Sequence, residues 1–177
     1  ARLSVGQEAA AGGSARALAP HDQMFGSHRS HGEMMAKGLA AIAAMDAGAL
    51  AAITGKHDGG RLARFVADHI GDAGGSAGEA FLLTGVLAEI FMRDAGFNRG
   101  MGGSMHAFFT PFGAYPNNAI VGGSSGIAVG AALRAQLTGS DAVVLANLGD
   151  GSTGCGLIWE SMNFAGMGQF RTLWQPP

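Results

Sequence analysis

Apolar and polar positions along the chain alternate between helical and extended spacing. Residues 7–18 are rich in Ala and stop before Pro20, which predicts a first helix. Two Ala-rich stretches, 33–45 and 46–54, predict two more. Between 55 and 78 the segments HDGG and DAGG break the pattern, leaving a loop around one short helix near 62–69. From 78 to 94, Leu83, Val86, Leu87, Ile90 and Phe91 recur on one helical face, with Glu79, Glu89 and Arg93 elsewhere. That stripe reads as core or as a subunit contact. Residues 126–137 predict a helix interrupted only by Arg134, buried on most sides. AVVLANL, residues 142–148, has the continuous apolar character of strands inside parallel sheets, and a helix follows from about Gly154. Helices alternating with such a strand predict an α/β fold: a parallel sheet flanked by helices.

Two segments have neither spacing. MFGSHRSHG, residues 24–32, gathers two histidines and an arginine among small residues and reads as loop. NRGMGGSMHAFF, residues 98–109, is a glycine-dense loop, and 119–121 is short and apolar.

Composition narrows the function classes. A length of 177 residues suits one domain with a sizeable core. Only 14% of residues are charged against 47% hydrophobic, which favours faces buried against partners. A net charge of −2 without a Lys/Arg cluster argues against nucleic acid as a main partner. The uncharged run 114–133 is broken by Asn117, Asn118, glycines and serines, unlike a membrane span of about 20 apolar residues. Cys155 is the lone cysteine, so no internal disulfide forms, and a reducing, cytoplasmic setting is expected. The start, ARLSVGQEAA, lacks the apolar core of a signal peptide. Beginning at Ala1 and closing on TLWQPP, the chain reads as a piece of a longer protein.

Candidate chemistry centres on LGDGSTG, residues 148–154. Ligands of parallel sheets bind beyond the carboxyl ends of the strands, where Asp150 would lie. Gly149 and Gly151 clear the backbone for a ligand, and the following helix start suits phosphate oxygens. A helix end contributes up to about 2 kcal/mol, whereas micromolar binding needs about 8 kcal/mol. An acid beside a phosphate also repels it unless a cation intervenes. Asp150 therefore reads either as a Mg²⁺ ligand carrying a diphosphate or as a plain helix cap. Cys155 reads as a small packing residue, because no base is placed beside it.

The surroundings bear on that choice. GDGSTGCGLIWESMNFA resembles the cofactor-diphosphate motif of thiamine-diphosphate enzymes, and specifically the alpha subunit of the decarboxylating component of 2-oxo acid dehydrogenase complexes. GQEAAAGG at Gly6, SHRSHG at Ser27, GMGGSMH at Gly100 and NAIVGGSSGIAVGAAL at Asn118 resemble the same family in the same order. The resemblance implies that residues 1–177 form part of a thiamine-diphosphate-binding domain, incomplete at its C-terminal side, with 61–78 as an insertion. It implies two cofactors, thiamine diphosphate and Mg²⁺. Arg29 would bind the diphosphate, with His28 beside it where the family usually has Tyr. Val121 would meet the aminopyrimidine through its backbone with Ala119 as a nearby small contact, Gly151 and Ser152 match the cofactor-binding residues that follow the metal-binding acid, and Asp150 would hold the metal. His31 and His106 are the candidates for acid or base, and each reads equally as a structural hydrogen-bonder. Arg2 stands where relatives often have His, and Met101 where they have a basic residue.

The implied reaction is oxidative decarboxylation of a small 2-oxo acid, with the cofactor as electron sink. The acyl group would pass to a lipoyl-bearing acyltransferase core. A beta-type subunit, or a fused beta half, would supply the activating Glu, giving a heterotetramer. A second metal ligand, an Asn, and a further catalytic His would lie beyond Pro177, so the piece alone would bind weakly and turn nothing over. An acetoin-cleaving or transketolase-type thiamine enzyme, or a non-catalytic assembly subunit, stands as the alternative.

Overall fold

The computed structural model describes residues 4–28, 30–71 and 75–168, and the backbone of 172–175. Four strands form one parallel sheet in the order β2-β1-β3-β4. They are β1 (Gln23–Phe25), β2 (Ala114–Tyr115), β3 (Val144–Asn147) and β4 (Thr172–Gln175). Helices α1 (Glu8–Arg16), α2 (His31–Ala44), α3 (Ala47–Lys56), α4 (Arg61–His69), α5 (Ala77–Ile90), α6 (Gly123–Leu137) and α7 (Gly156–Gly168) complete the described part. The expected α/β class is the one observed.

Side-chain alternation on the strands sets the layers. Phe25, Val144 and Ala146 point to one face and pack under Ala128 and Ala132 of α6. Met24 and Leu145 point to the other, against Ala15 of α1 and Ala36 and Ala40 of α2. Both faces are covered, which is why β3 carries no solvent-facing polar residue between Val144 and Ala146. A second core lies between α2, α4 and α5, where Phe97 stacks on Phe109 and Phe81 and Phe112 meet this pair in tilted or edge-on contacts. Leu62 and Val66 of α4 are buried in it.

The expectations meet four corrections, the first being that α6 is not buried on most sides: Gly126, Ile127, Gly130, Arg134, Gln136 and Leu137 are exposed. The strand β1 falls in and beside the segment read as loop, since three residues are too few to show a period. The helix after Asp150 begins at Gly156, behind a 3-10 turn over Asp150–Gly154. On α5, Phe81, Leu82, Gly85, Val86 and Glu89 are the buried set, while Leu83, Leu87 and Phe91 are exposed, so most of the stripe read as core or subunit contact is not core of this chain. Apolar residues on both sides of this helix made its face ambiguous. Its start is well specified, because Ser76 Oγ accepts the Glu79 N–H at 3.2 Å and Glu79 Oε2 accepts the Ser76 N–H at 2.9 Å.

Connections leave adjacent strands in opposite directions. The chain runs from β1 to β2 on one side and from β3 to β4 on the other. The carboxyl ends of β1 and β3 therefore flank a topological switch point, the place where open α/β sheets bind ligands.

Candidate active site

A cavity of about 240 Å³ opens at that switch point. Ser27 and His28 reach it from the end of β1, and Asn147, Leu148, Gly149, Asp150, Gly151 and Ser152 from the end of β3. Asn118, Ala119, Ile120 and Val121, just before α6, form a third wall, and Gln7 a fourth. The cavity thus gathers His28, Ala119, Val121, Asp150, Gly151 and Ser152 from three separated segments of the sequence. Arg29 and Arg2 lie outside the described residues.

Asp150 is exposed, so its carboxylate meets the solvent of the cavity and not a packed interior. The turn that carries it is held from within: Ser152 Oγ donates to the Gly149 carbonyl, and Thr153 Oγ1 donates to the Asp150 carbonyl at 2.7 Å. Trp159 Nε1 donates to the Thr153 carbonyl at 2.8 Å, tying α7 to the turn. An added Cβ at Gly149 or Gly151 would meet no protein atom within 4 Å, and neither glycine has a positive φ. Neither packing nor backbone strain requires glycine there, and the backbone is left open toward the cavity. The contrast is Gly122, at φ +77°, where a Cβ would press on Cys155 Sγ and Ile158 Cγ1 at 3.3 Å.

The walls are cross-linked by residues that sequence reading passed over. Ser124 Oγ donates to the Gly26 carbonyl at 3.0 Å and accepts the Asn118 N–H at 3.0 Å, joining the start of α6 to the end of β1. Asn117, buried, donates through Nδ2 to the Ser27 carbonyl at 2.6 Å and also to the Met105 carbonyl. Asn118 Oδ1 accepts the Ile120 N–H at 2.9 Å and shapes the turn beneath Ala119 and Val121. No short motif announces these bonds, because their partners are backbone carbonyls distant in sequence. Ile120 and Val121 remain 70% and 61% exposed at the mouth, an apolar lip open to a ligand ring or a partner.

His31 and His106 do not line the cavity. His31 is buried at the start of α2, with Nδ1 at 3.2 Å from the Ser104 carbonyl and Nε2 at 3.2 Å from Ser4 Oγ. A carbonyl only accepts, so Nδ1 carries the proton and Nε2 receives the serine hydroxyl. Both ring nitrogens are used in tethering the N-terminal segment to the loop 98–109. His106 is half-buried in that loop.

The loop has an anchor of its own. Glu89, fully buried on α5, accepts the N–H groups of Asn98 at 2.7 Å and Gly100 at 3.0 Å through Oε2, and that of Gly102 at 2.6 Å through Oε1. Its sequence position on a polar face concealed this role.

Among the described residues no group of three His, Cys, Asp or Glu side chains surrounds a common point. Asp150 is thus the acidic group of the cavity, and a cation there would complete its shell with ligand oxygens, backbone oxygens, water or residues outside the described set. No helix among the described residues is long and apolar enough to cross a membrane.

Comparison with known proteins bears on this geometry. The family model described as dehydrogenase E1 component matches residues 1–174. The chain is 30% identical over 175 residues to the pyruvate dehydrogenase E1 component subunit alpha of Rhizobium meliloti (strain 1021), covering 99% of this chain and 36% of that protein. It is 37% identical over 82 residues to the subunit of the same name from Rickettsia bellii (strain RML369-C), covering 46% of this chain and 25% of the relative. For the somatic, mitochondrial form from Homo sapiens the identity is 38% over 92 residues, covering 52% and 22%. The chain therefore spans about a third or less of the length of these relatives.

Proposed function

Because this chain belongs to the dehydrogenase E1 component family, we propose that it is the cofactor-diphosphate part of an alpha-type subunit that decarboxylates a small 2-oxo acid. The observation that carries the reading is the convergence of three sequence-distant segments on one switch-point cavity with an exposed acid at its edge. Thiamine diphosphate, held with Mg²⁺, supplies the electron sink for decarboxylation.

The residues present fit that cofactor. Asp150 offers a hard oxygen ligand for Mg²⁺, and the open space over Gly149 and Gly151 admits phosphate groups to the backbone. Asn147 Nδ2 and Gln7 Oε1, both on cavity-lining residues, are buried without a hydrogen-bond partner, a state that a polar ligand relieves. In this reading His28 faces the diphosphate, Ser152 holds the Asp150 turn in shape by donating to the Gly149 carbonyl, and the Asn118 turn presents Ala119 and Val121 to the aminopyrimidine. Arg29 adds a charge-assisted bond. His31 positions the loop 98–109 and with it His106, the remaining candidate to move a proton. A beta-type partner and a lipoyl-bearing core complete the assembly.

The test is dye reduction by the full-length protein assembled with its beta-type partner, with carbon dioxide release followed for the 2-oxo acids and acetaldehyde release for acetoin. Pyruvate, branched-chain 2-oxo acids and acetoin are offered in turn with a dye acceptor. Decarboxylation of a 2-oxo acid that requires added thiamine diphosphate and is abolished by Asp150→Asn supports the reading. Acetoin cleavage without 2-oxo acid turnover overturns the substrate class, and Asp150→Asn retaining full activity overturns the site.

A further inference from the structure

We infer that Asn147 is a ligand contact of the cavity, its side-chain amide donating a hydrogen bond to a diphosphate oxygen of the cofactor; this rests on the function proposed above. Asn147 is the last residue of β3 and follows the wholly buried apolar run Val144–Ala146. It is only 9% exposed, it lines the cavity, and its Nδ2 has no hydrogen-bond partner.

Such an atom is expensive. A buried amide donor without a partner forfeits the hydrogen bonds it made to water, and at the end of a buried strand an aliphatic side chain of similar size would avoid that loss. Asparagine also disfavours strand structure. Packing therefore gives no reason for an amide at this position, whereas a bound acceptor does.

The chemistry of the acceptor follows from the neighbours. Asn147 leaves the sheet on the same chain exit as Gly149, Asp150 and Gly151, the part of the cavity free of side-chain obstruction. A cation on Asp150 draws the anionic end of a ligand there, and phosphate oxygens accept an amide N–H without offering a proton in return. Gln7 Oε1, the other unpartnered amide atom on the cavity wall, is an acceptor and cannot serve phosphate in that orientation. Asn147 is thus the neutral donor of the diphosphate end, complementary to the metal.

The experiment is calorimetric titration of the assembled full-length enzyme with thiamine diphosphate in Mg²⁺, repeated with magnesium pyrophosphate as competitor. Asn147→Leu should weaken thiamine diphosphate about tenfold, the equivalent of 1.4 kcal/mol, and weaken pyrophosphate competition by the same factor. Asn147→Ser, which keeps a donor, should stay within about threefold of wild type, and Asn147→Asp, which puts a carboxylate against phosphate, should lose more than Asn147→Leu. If Asn147→Leu fails to assemble, the Ser and Asp variants decide by the same criterion. Unchanged thiamine diphosphate affinity in the Leu or Asp variant overturns the inference. So does a loss that leaves pyrophosphate competition untouched, because the contact would then lie at the other end of the ligand. A wild-type assembly that binds no thiamine diphosphate sinks the proposed function itself, and the inference with it.

Discussion

Replacing Glu89 by Gln removes one charge and one acceptor from a site where nothing else can take their place. The carboxylate receives three backbone N–H groups from the loop 98–109, at 2.7, 3.0 and 2.6 Å, with the side chain fully buried. A glutamine can turn its carbonyl toward Asn98 and Gly100, which leaves its NH₂ facing the Gly102 N–H, donor against donor. The lost charge-assisted bond is worth about 1.5–3 kcal/mol, and each remaining bond falls to about 1 kcal/mol when its acceptor becomes neutral. The sum is a destabilisation of at least about 2.5 kcal/mol, a large share of the 5–15 kcal/mol typical of a domain. Urea unfolding of the full-length protein, followed by far-ultraviolet circular dichroism, measures it as a lowered midpoint at constant slope. Because the loop also carries Ser104, the carbonyl partner of His31, and Met105, the carbonyl partner of Asn117, cofactor affinity should fall together with stability. A change below about 1 kcal/mol would refute the idea that this carboxylate organises the loop.

The other expectations concern the supports and the cavity. Lys37 is fully buried, its Nζ donating to the Ala19 carbonyl at 2.8 Å, and burial lowers its pKa from 10.5 to about 8 against the opposing pull of Asp22. Between those pH values the unfolded chain binds more protons than the folded one, so this group makes folding stability rise from pH 8 to 10.5. Lys37→Met should flatten that rise in urea midpoints measured across the window; parallel curves would contradict it. Gly151→Ala places a methyl group in open space, so thermal stability should shift by no more than about 0.5 kcal/mol while thiamine diphosphate affinity drops at least tenfold by titration. Asn117→Ala removes both donor bonds to the Ser27 and Met105 carbonyls, with an expected cost of about 2 kcal/mol in denaturant unfolding and weaker cofactor binding; an unchanged midpoint would show that the two loops hold each other by other means.

What could be read from the residues follows from how local each signal is. The apolar run of β3 and the glycines around Asp150 are contiguous in sequence, and the fold places them as expected; α6 also forms, but it is not buried on most sides, because Ile127 and Leu137 are exposed. The strand β1 has only three residues and β2 only two, so neither shows a period, although β1 forms half of the switch point. The buried face of α5 is not legible in the residues because Leu83, Leu87 and Phe91 are as apolar as those that face the core, and only packing against α2 and α4 breaks the tie. Glu89, Asn117 and Ser124 owe their roles to backbone groups distant in sequence, so no spacing rule identifies them. Asn147 was hidden for a different reason: within AVVLANL it passes as one polar interruption of a strand, and only its missing partner and its place on the cavity wall give it significance. His31 stood in a motif that suggested acid–base chemistry, yet both of its nitrogens are engaged within the protein.

The central claim is that the carboxylate of Asp150 holds the cation that carries the cofactor diphosphate. A crystal structure of the assembled full-length enzyme with thiamine diphosphate and Mn²⁺ in place of Mg²⁺ tests it through the anomalous signal of the metal. The account predicts a peak within about 2.5 Å of an Asp150 carboxylate oxygen, with the diphosphate over Gly149 and Gly151. A metal bound elsewhere, or a diphosphate outside this cavity, would contradict it.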